Sequence, residues 1–193
     1  MADRSWRKLA HKIVIDAGHG WAKDTGGDPG AVNGKYYESV ATLAIAKKLK
    51  TRLVENGYKV KMTRTGGDKD LSLAERCKIA NDWNCDLFIS IHLNAAANKT
   101  ANGVECLRYP KVGARTKSLA NNIQTSLVAA TGFRNRGVKE RSDLYVLKHT
   151  TASAVLIECG FLSNETEKKK LFNSAFQNKI ADAILKGVNK TLK

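Results

Sequence analysis

The feature that most constrains this chain is an alternation. Short runs rich in β-branched residues are separated by longer stretches whose apolar residues recur at helical spacing. The expected strands are Lys12 to Asp16, Tyr58 to Thr63, Leu87 to Ile91, Val104 to Tyr109, Leu144 to Leu147 and Ala154 to Glu158. The expected helices are Glu38 to Asn56, Leu73 to Trp83, Ala114 to Thr131, Glu165 to Asn173 and Phe176 to Lys190. Strands that take turns with helices predict crossover connections, and hence an α/β fold with a mostly parallel sheet and helices on both faces. Asn56-Gly57 is an ordinary stop for the first helix. Asn164 followed by Glu167 reads as a capping box opening another. A chain of 193 residues can bury one sizeable core and is short for two, so a single domain is expected over residues 12–193, with residues 1–11 as an N-terminal extension.

A parallel sheet gathers whatever follows the C-terminal ends of its strands along one edge, where ligands usually bind. His19 follows Ile13-Val14-Ile15-Asp16-Ala17-Gly18, and His92 closes Phe88-Ile89-Ser90-Ile91, so two imidazoles distant in sequence can converge there. A histidine at a strand end is more often a hydrogen-bonded structural residue than a ligand, so the argument needs partners. Glu38 is one: with Thr42, Ile45, Leu49 and Leu53 it heads the apolar stripe of the first helix. A helix N-terminus stabilises a carboxylate by about 0.3–1 kcal/mol. Desolvating the ion costs several kcal/mol, so a core-facing glutamate calls for a metal or a strong ion pair. Glu158, after Ala154-Val155-Leu156-Ile157, should reach the same edge. Two imidazoles and one carboxylate make a three-ligand zinc site with an open fourth position, and the remaining carboxylate becomes a candidate base for amide hydrolysis. The spacing does not say which glutamate does which.

Lys and Arg total 33 against 18 Asp and Glu, a formal charge of +15, which draws polyanions such as nucleic acid or anionic wall polymers. A basic binding module without catalysis is therefore the rival reading, and a zinc carboxypeptidase is a third. Cys77, Cys85, Cys106 and Cys159 form no Cys-x-x-Cys pair and are expected to be buried apolar residues, with Cys159 as an alternative catalytic thiol. His11 and His149 are expected at the surface. The charged N-terminus lacks the roughly 7–15 apolar residues of a secretory signal, and no run reaches the roughly 18 of a membrane span. Synthesis in the cytoplasm without membrane insertion is expected.

The motifs Ile15-Asp16-Ala17-Gly18-His19-Gly20, Asp28-Pro29-Gly30-Ala31, Glu38 opening a helix, Thr63-Arg64, Leu73 through Arg76 and Ala80-Asn81 come in a specific order. Asp86 through Ala95, Arg136-Gly137-Val138, Tyr145-Val146-Leu147 and Val155 through Asn164 follow. Together they resemble the type-3 family of zinc-dependent N-acetylmuramoyl-L-alanine amidases, from about Lys12 to Lys190. The resemblance implies a mixed six-stranded sheet, one zinc ion held by His19, Glu38 and His92, and Glu158 as the catalytic glutamate. It implies hydrolysis of the bond between N-acetylmuramic acid and L-alanine in peptidoglycan. Asn94 is a candidate for orienting substrate, and Asp16 for bracing a metal-binding histidine. The partners expected are peptidoglycan and its anionic polymers, with no specific nucleic acid, acting as a monomer after release by phage or mother-cell lysis. Two departures stand out: Trp21 to Gly26 lengthens the link between His19 and Asp28, and Ala152-Ser153 stands where family members often have Met-Pro.

Overall fold

The computed structural model describes residues 10–22, 26–66 and 70–192, so residues 1–9 of the expected extension and 23–25 of the lengthened link lie outside the described residues. Ten strands and six helices follow one another along the described chain. They are β1 (Lys12–Ala17), β2 (Gly20–Ala22), β3 (Gly26–Asp28), β4 (Val32–Asn33), β5 (Tyr36–Tyr37), α1 (Glu38–Glu55), β6 (Lys59–Met62) and α2 (Leu73–Asp82). Then come β7 (Leu87–Asn94), β8 (Val104–Arg108), α3 (Ala114–Thr131), β9 (Asn135–Glu140), α4 (Tyr145–His149), β10 (Ser153–Phe161), α5 (Glu165–Leu171) and α6 (Ser174–Leu192).

Six strands form one mixed sheet in the order β6-β1-β7-β10-β8-β9. The first four are mutually parallel; β8 runs antiparallel to β10 and parallel to β9. The central strands are apolar on both faces, as a two-sided parallel sheet requires. Ile13, Ile15, Ile89, Ile91, Val155 and Ile157 pack into a core with α1, α3 and α6. Val14, Phe88 and Leu156 point the other way, toward Cys77 and Ala80 of α2 and Val146 and Leu147 of α4. The helices therefore cover both faces. Among the described residues no helix is long and apolar enough to cross a membrane.

Two expectations need correction. Leu144 to Leu147 is not a strand: Tyr145–His149 is a short helix, whose Val146 and Leu147 both pack into the cluster with Cys77 and Ala80 of α2. The sixth strand is instead Asn135–Glu140, a polar edge strand without an apolar face to betray it. The capping box at α5 is only half formed. Asn164 accepts from the backbone N–H groups of Thr166 and Glu167, but the Glu167 carboxylate turns away to accept from Gly103 N at 2.8 Å and Phe161 N at 2.7 Å. Those two buried amides would otherwise lack a partner.

Candidate metal centre and active edge

The C-terminal ends of β1, β7 and β10 lie side by side, with Ala17 in register with Ile91 and His92 with Glu158. His19 leaves β1 with a φ of 61°, a left-handed conformation uncommon outside glycine. Arg76 Nη2 donates to the His19 carbonyl at 2.9 Å and helps to hold it there. The backbone passes so close to the second imidazole that a Cβ on Gly18 would lie 2.4 Å from His92 Cε1. Gly30 is equally constrained: its φ is 68°, and a Cβ there would sit 2.7 Å from Glu38 Oε2.

Glu38 is the first residue of α1 and only 3% exposed. Its Oε1 lies 3.2 Å from His19 Nε2 and 3.1 Å from His92 Nδ1, and accepts from Leu93 N at 2.8 Å; Oε2 accepts from Ala31 N at 2.9 Å. Burial by itself would raise this carboxyl, but hydrogen bonds and charge from both histidines hold it well below the usual carboxylate range. One ligand atom from each of His19, Glu38 and His92 lies within 4.8 Å of the others, so the three can hold a metal ion. Two imidazole nitrogens and a carboxylate are a donor set suited to zinc.

Asp28 Oδ2 lies 2.6 Å from His19 Nδ1, while Asp28 Oδ1 accepts from Gly30 N at 2.9 Å and Asp28 N donates to Asp70 Oδ2 at 3.0 Å. The imidazole is thus aimed with Nε2 toward Glu38. Burial opposes protonation of His19, yet Glu38 and Asp28 outweigh it and raise the ring to about 9. Asp28, not Asp16, braces the histidine. Asp16 instead accepts from Thr63 Oγ1 (2.8 Å), Ser90 Oγ (2.7 Å) and Arg76 Nη1 (2.8 Å). Burial would raise Asp16, but Arg76 and Ser90 lower it. Arg64, 2% exposed, donates to the carbonyls of Ala17, Gly18 and Ser39 and so ties the β1 turn to α1.

Glu158 is different. It is half-buried, yet its Oε2 is enclosed and has no hydrogen-bond partner among the described residues. Burial pushes its carboxyl up to about 7; His92 lowers it, while the Glu38 and Glu105 carboxylates raise it. Glu105 is its cross-strand partner on β8 and is already engaged, by Asn94 Nδ2 at 3.0 Å, Arg136 Nε at 2.9 Å and Lys139 Nζ at 2.5 Å. Asn94 thus binds a neighbouring carboxylate rather than any of the three ligand side chains.

Residues 13–190 match the family described as N-acetylmuramoyl-L-alanine amidase. The chain belongs to that family. It is 36% identical over 172 residues to the sporulation-specific N-acetylmuramoyl-L-alanine amidase of Bacillus subtilis, covering 88% of this chain and 64% of that protein. The germination-specific amidase of the same species is 34% identical over 203 residues, covering 95% and 83%. Among solved structures, an N-acetylmuramoyl-L-alanine amidase from Clostridium difficile 630 superposes with a TM-score of 0.86 at 36% identity, covering 93% of this chain and 95% of that one.

Membership in the amidase family does not itself name the residues behind the ligands. Asp28, Arg64 and Arg76 stand in family motifs that assign them no role, and Glu105 stands in none. They share no common position: Arg64 follows β6 of the central sheet, Glu105 lies within β8, Arg76 lies on α2 and Asp28 ends β3 of the small hairpin, so only Arg64 carries the strand-end signal that exposed His19 and His92. The thiol alternative falls away, because Cys159 is fully buried and burial pushes its thiol well above the ordinary value. All four cysteines are buried as expected. His149 is exposed, and His11 is half-buried near Asp86.

Proposed function

We propose that this chain hydrolyses the amide between the lactyl group of N-acetylmuramic acid and the L-alanine of the stem peptide. His19, Glu38 and His92 would hold one zinc ion, and Glu158 would serve as the base. The observation that carries the reading is the enclosed, unpartnered Glu158 oxygen, in register with His92 and beside three convergent ligand atoms. A zinc ion so held supplies Lewis-acid activation of the scissile carbonyl and of the attacking water.

The protein's own groups do the rest. Asp28 fixes the His19 ring, the Leu93 and Ala31 amides fix Glu38, and the Gly18 turn seats His92. Glu158 takes a proton from the attacking water as oxygen adds to the lactyl carbonyl carbon. It then delivers that proton to the alanine nitrogen as the carbon–nitrogen bond breaks, leaving a lactyl carboxyl and a free peptide amine. A carboxyl with an affinity for protons near pH 7 can do both. The +15 charge favours retention on anionic wall polymers after release.

Purified sacculi digested with and without chelator, followed by mass spectrometry, test this. Expected are stem peptides with new amino termini on L-alanine, lost on chelation and restored by zinc. Glu158→Gln should bind zinc and lose about 10²–10⁴-fold in turnover. Release of terminal amino acids instead would favour a carboxypeptidase, and intact walls a binding module.

A further inference from the structure

The ligand cluster opens on one side into a cleft of about 400 Å3 on the α2/α4 face of the sheet. That is the size of a small-ligand site. Its walls include Leu73, Leu144, Tyr145 and Val146, with Leu73 52% and Tyr145 38% exposed to solvent. Tyr145 is stacked on His149 with ring centroids 4.1 Å apart, which fixes its ring. Among the described residues the charged lining is acidic. Asp28 and Asp70 face it, Asp143 is clamped by Arg141, and the one Lys or Arg of the described lining, Arg76, is taken up by Asp16 and backbone carbonyls.

On the opposite side of Glu158 the sheet edge continues through β8 to β9 and changes sign. Arg136 and Lys139 both reach Glu105 Oε2, leaving one cation in excess, and Lys139 is 44% exposed. The guanidinium of Arg136 also lies over the Phe161 ring, 4.8 Å from its centroid, which orients it.

The two halves of the substrate differ in the same sense. The amide-linked muramoyl sugar is uncharged, with C–H faces and an N-acetyl methyl suited to apolar and aromatic walls, whereas the stem peptide beyond L-alanine carries free carboxylates. We infer that the α2/α4 cleft is the glycan subsite, taking the N-acetylmuramoyl residue against Leu73 and Tyr145, and that the stem peptide runs the other way, toward Arg136 and Lys139. The assignment rests on the amidase reading above, and reversing it would set peptide carboxylates against Asp28 and Asp70.

Two probes on the zinc-loaded Glu158→Gln protein test it by amide NMR titration. One is the N-acetylglucosaminyl-N-acetylmuramic acid disaccharide with its lactyl carboxyl capped as the methylamide; the other is the free stem tetrapeptide. The capped disaccharide should shift the amides of Leu73, Leu144 and Tyr145, and the tetrapeptide those of Arg136 and Lys139. The Leu73→Ala/Tyr145→Ala protein should bind the disaccharide at least tenfold more weakly and the tetrapeptide unchanged. Lys139→Ala should weaken only the tetrapeptide, with the difference lost when the peptide carboxylates are amidated. A reversed map, or a cleft that neither probe disturbs, overturns the assignment. Sacculus digestion by the unmodified enzyme is read separately: if it releases stem peptides while the map is reversed, only the subsite assignment falls, and if it releases none, the amidase reading falls as well.

Discussion

The active edge has two ends built on opposite principles. At the β1 end, Asp16, Thr63, Ser90, Arg64 and Arg76 form a buried polar network in which each carboxylate oxygen and guanidinium has partners. At the β10 end, Glu158 keeps an enclosed oxygen with none. Satisfied buried networks rigidify; an unsatisfied buried carboxylate stores a demand for a proton. The first end fixes where His19 and Gly18 sit, and the second supplies a group ready to accept a proton. Predictions that break one end should leave the character of the other readable.

The largest effect on folding should come from the satisfied end. Arg76→Met leaves Asp16, 1% exposed, without its cation and frees the His19 carbonyl. Removing one partner of a buried pair typically costs about 3–5 kcal/mol. Denaturant unfolding should report a loss in that range together with weakened zinc binding. A loss under about 1 kcal/mol would mean that the network is not what holds this edge.

Asp28→Asn comes next. An amide can still reach His19 Nδ1 but no longer brings a charge to it. Zinc affinity measured by chelator competition should fall about 10–100-fold, the usual cost of removing such a brace, with the melting temperature of the metal-free protein little changed. Unchanged affinity would show that the 2.6 Å contact does not tune the ligand.

What was legible in the sequence follows from what each residue is buried against. The central strands could be read because both of their faces are apolar, as in Leu87-Phe88-Ile89-Ser90-Ile91, and α1 because its stripe is regular. His19, Glu38 and His92 could be read as a group because each stands at the end of such an element. The polar edge strand Asn135–Glu140 and the two-residue strands β4 and β5 carry no periodic signal, and Leu144-Tyr145-Val146-Leu147 carries a misleading one that its packing against α2 overrides. Asp16 illustrates a different limit. Its proximity to His19 in sequence suggests a brace, but a residue on β1 points across the sheet to Ser90 and Arg76, and the chain must turn through the hairpin of β2 and β3 before an aspartate, Asp28, can face the ring.

At the unsatisfied end, Glu158→Gln should reveal the cost of the stored demand. The folded protein holds this carboxyl at about 7, above its ordinary value of 4.5. Its contribution to stability is therefore fully present below about pH 4.5 and is lost as the pH rises through 7. The substitution should stabilise the metal-free protein by about 1–3 kcal/mol at pH 8 and hardly at all at pH 4.5, since each pKa unit is worth about 1.4 kcal/mol. Thermal melts at the two pH values check this, and equal effects at both would show that the carboxyl is not proton-hungry in the folded state.

The smallest effect sharpens the same comparison on a single helix. Lys78 lies two residues beyond Arg76 on α2 and also pairs with an aspartate, Asp82 at 2.7 Å. Its side chain is 71% exposed and that of Asp82 62%, so water already solvates both ends of the pair. The order is also the less favourable one for a helix, with the cation N-terminal to the acid. Exposed pairs of this kind contribute about 0.2–1 kcal/mol at most and many contribute nothing measurable, so Lys78→Ala should change stability by less than about 0.5 kcal/mol at moderate salt. A loss rivalling that of Arg76→Met would mean that the two pairs do not differ by burial. The contrast drawn between a satisfied interior network and an ordinary surface contact would then have to be sought elsewhere than in desolvation.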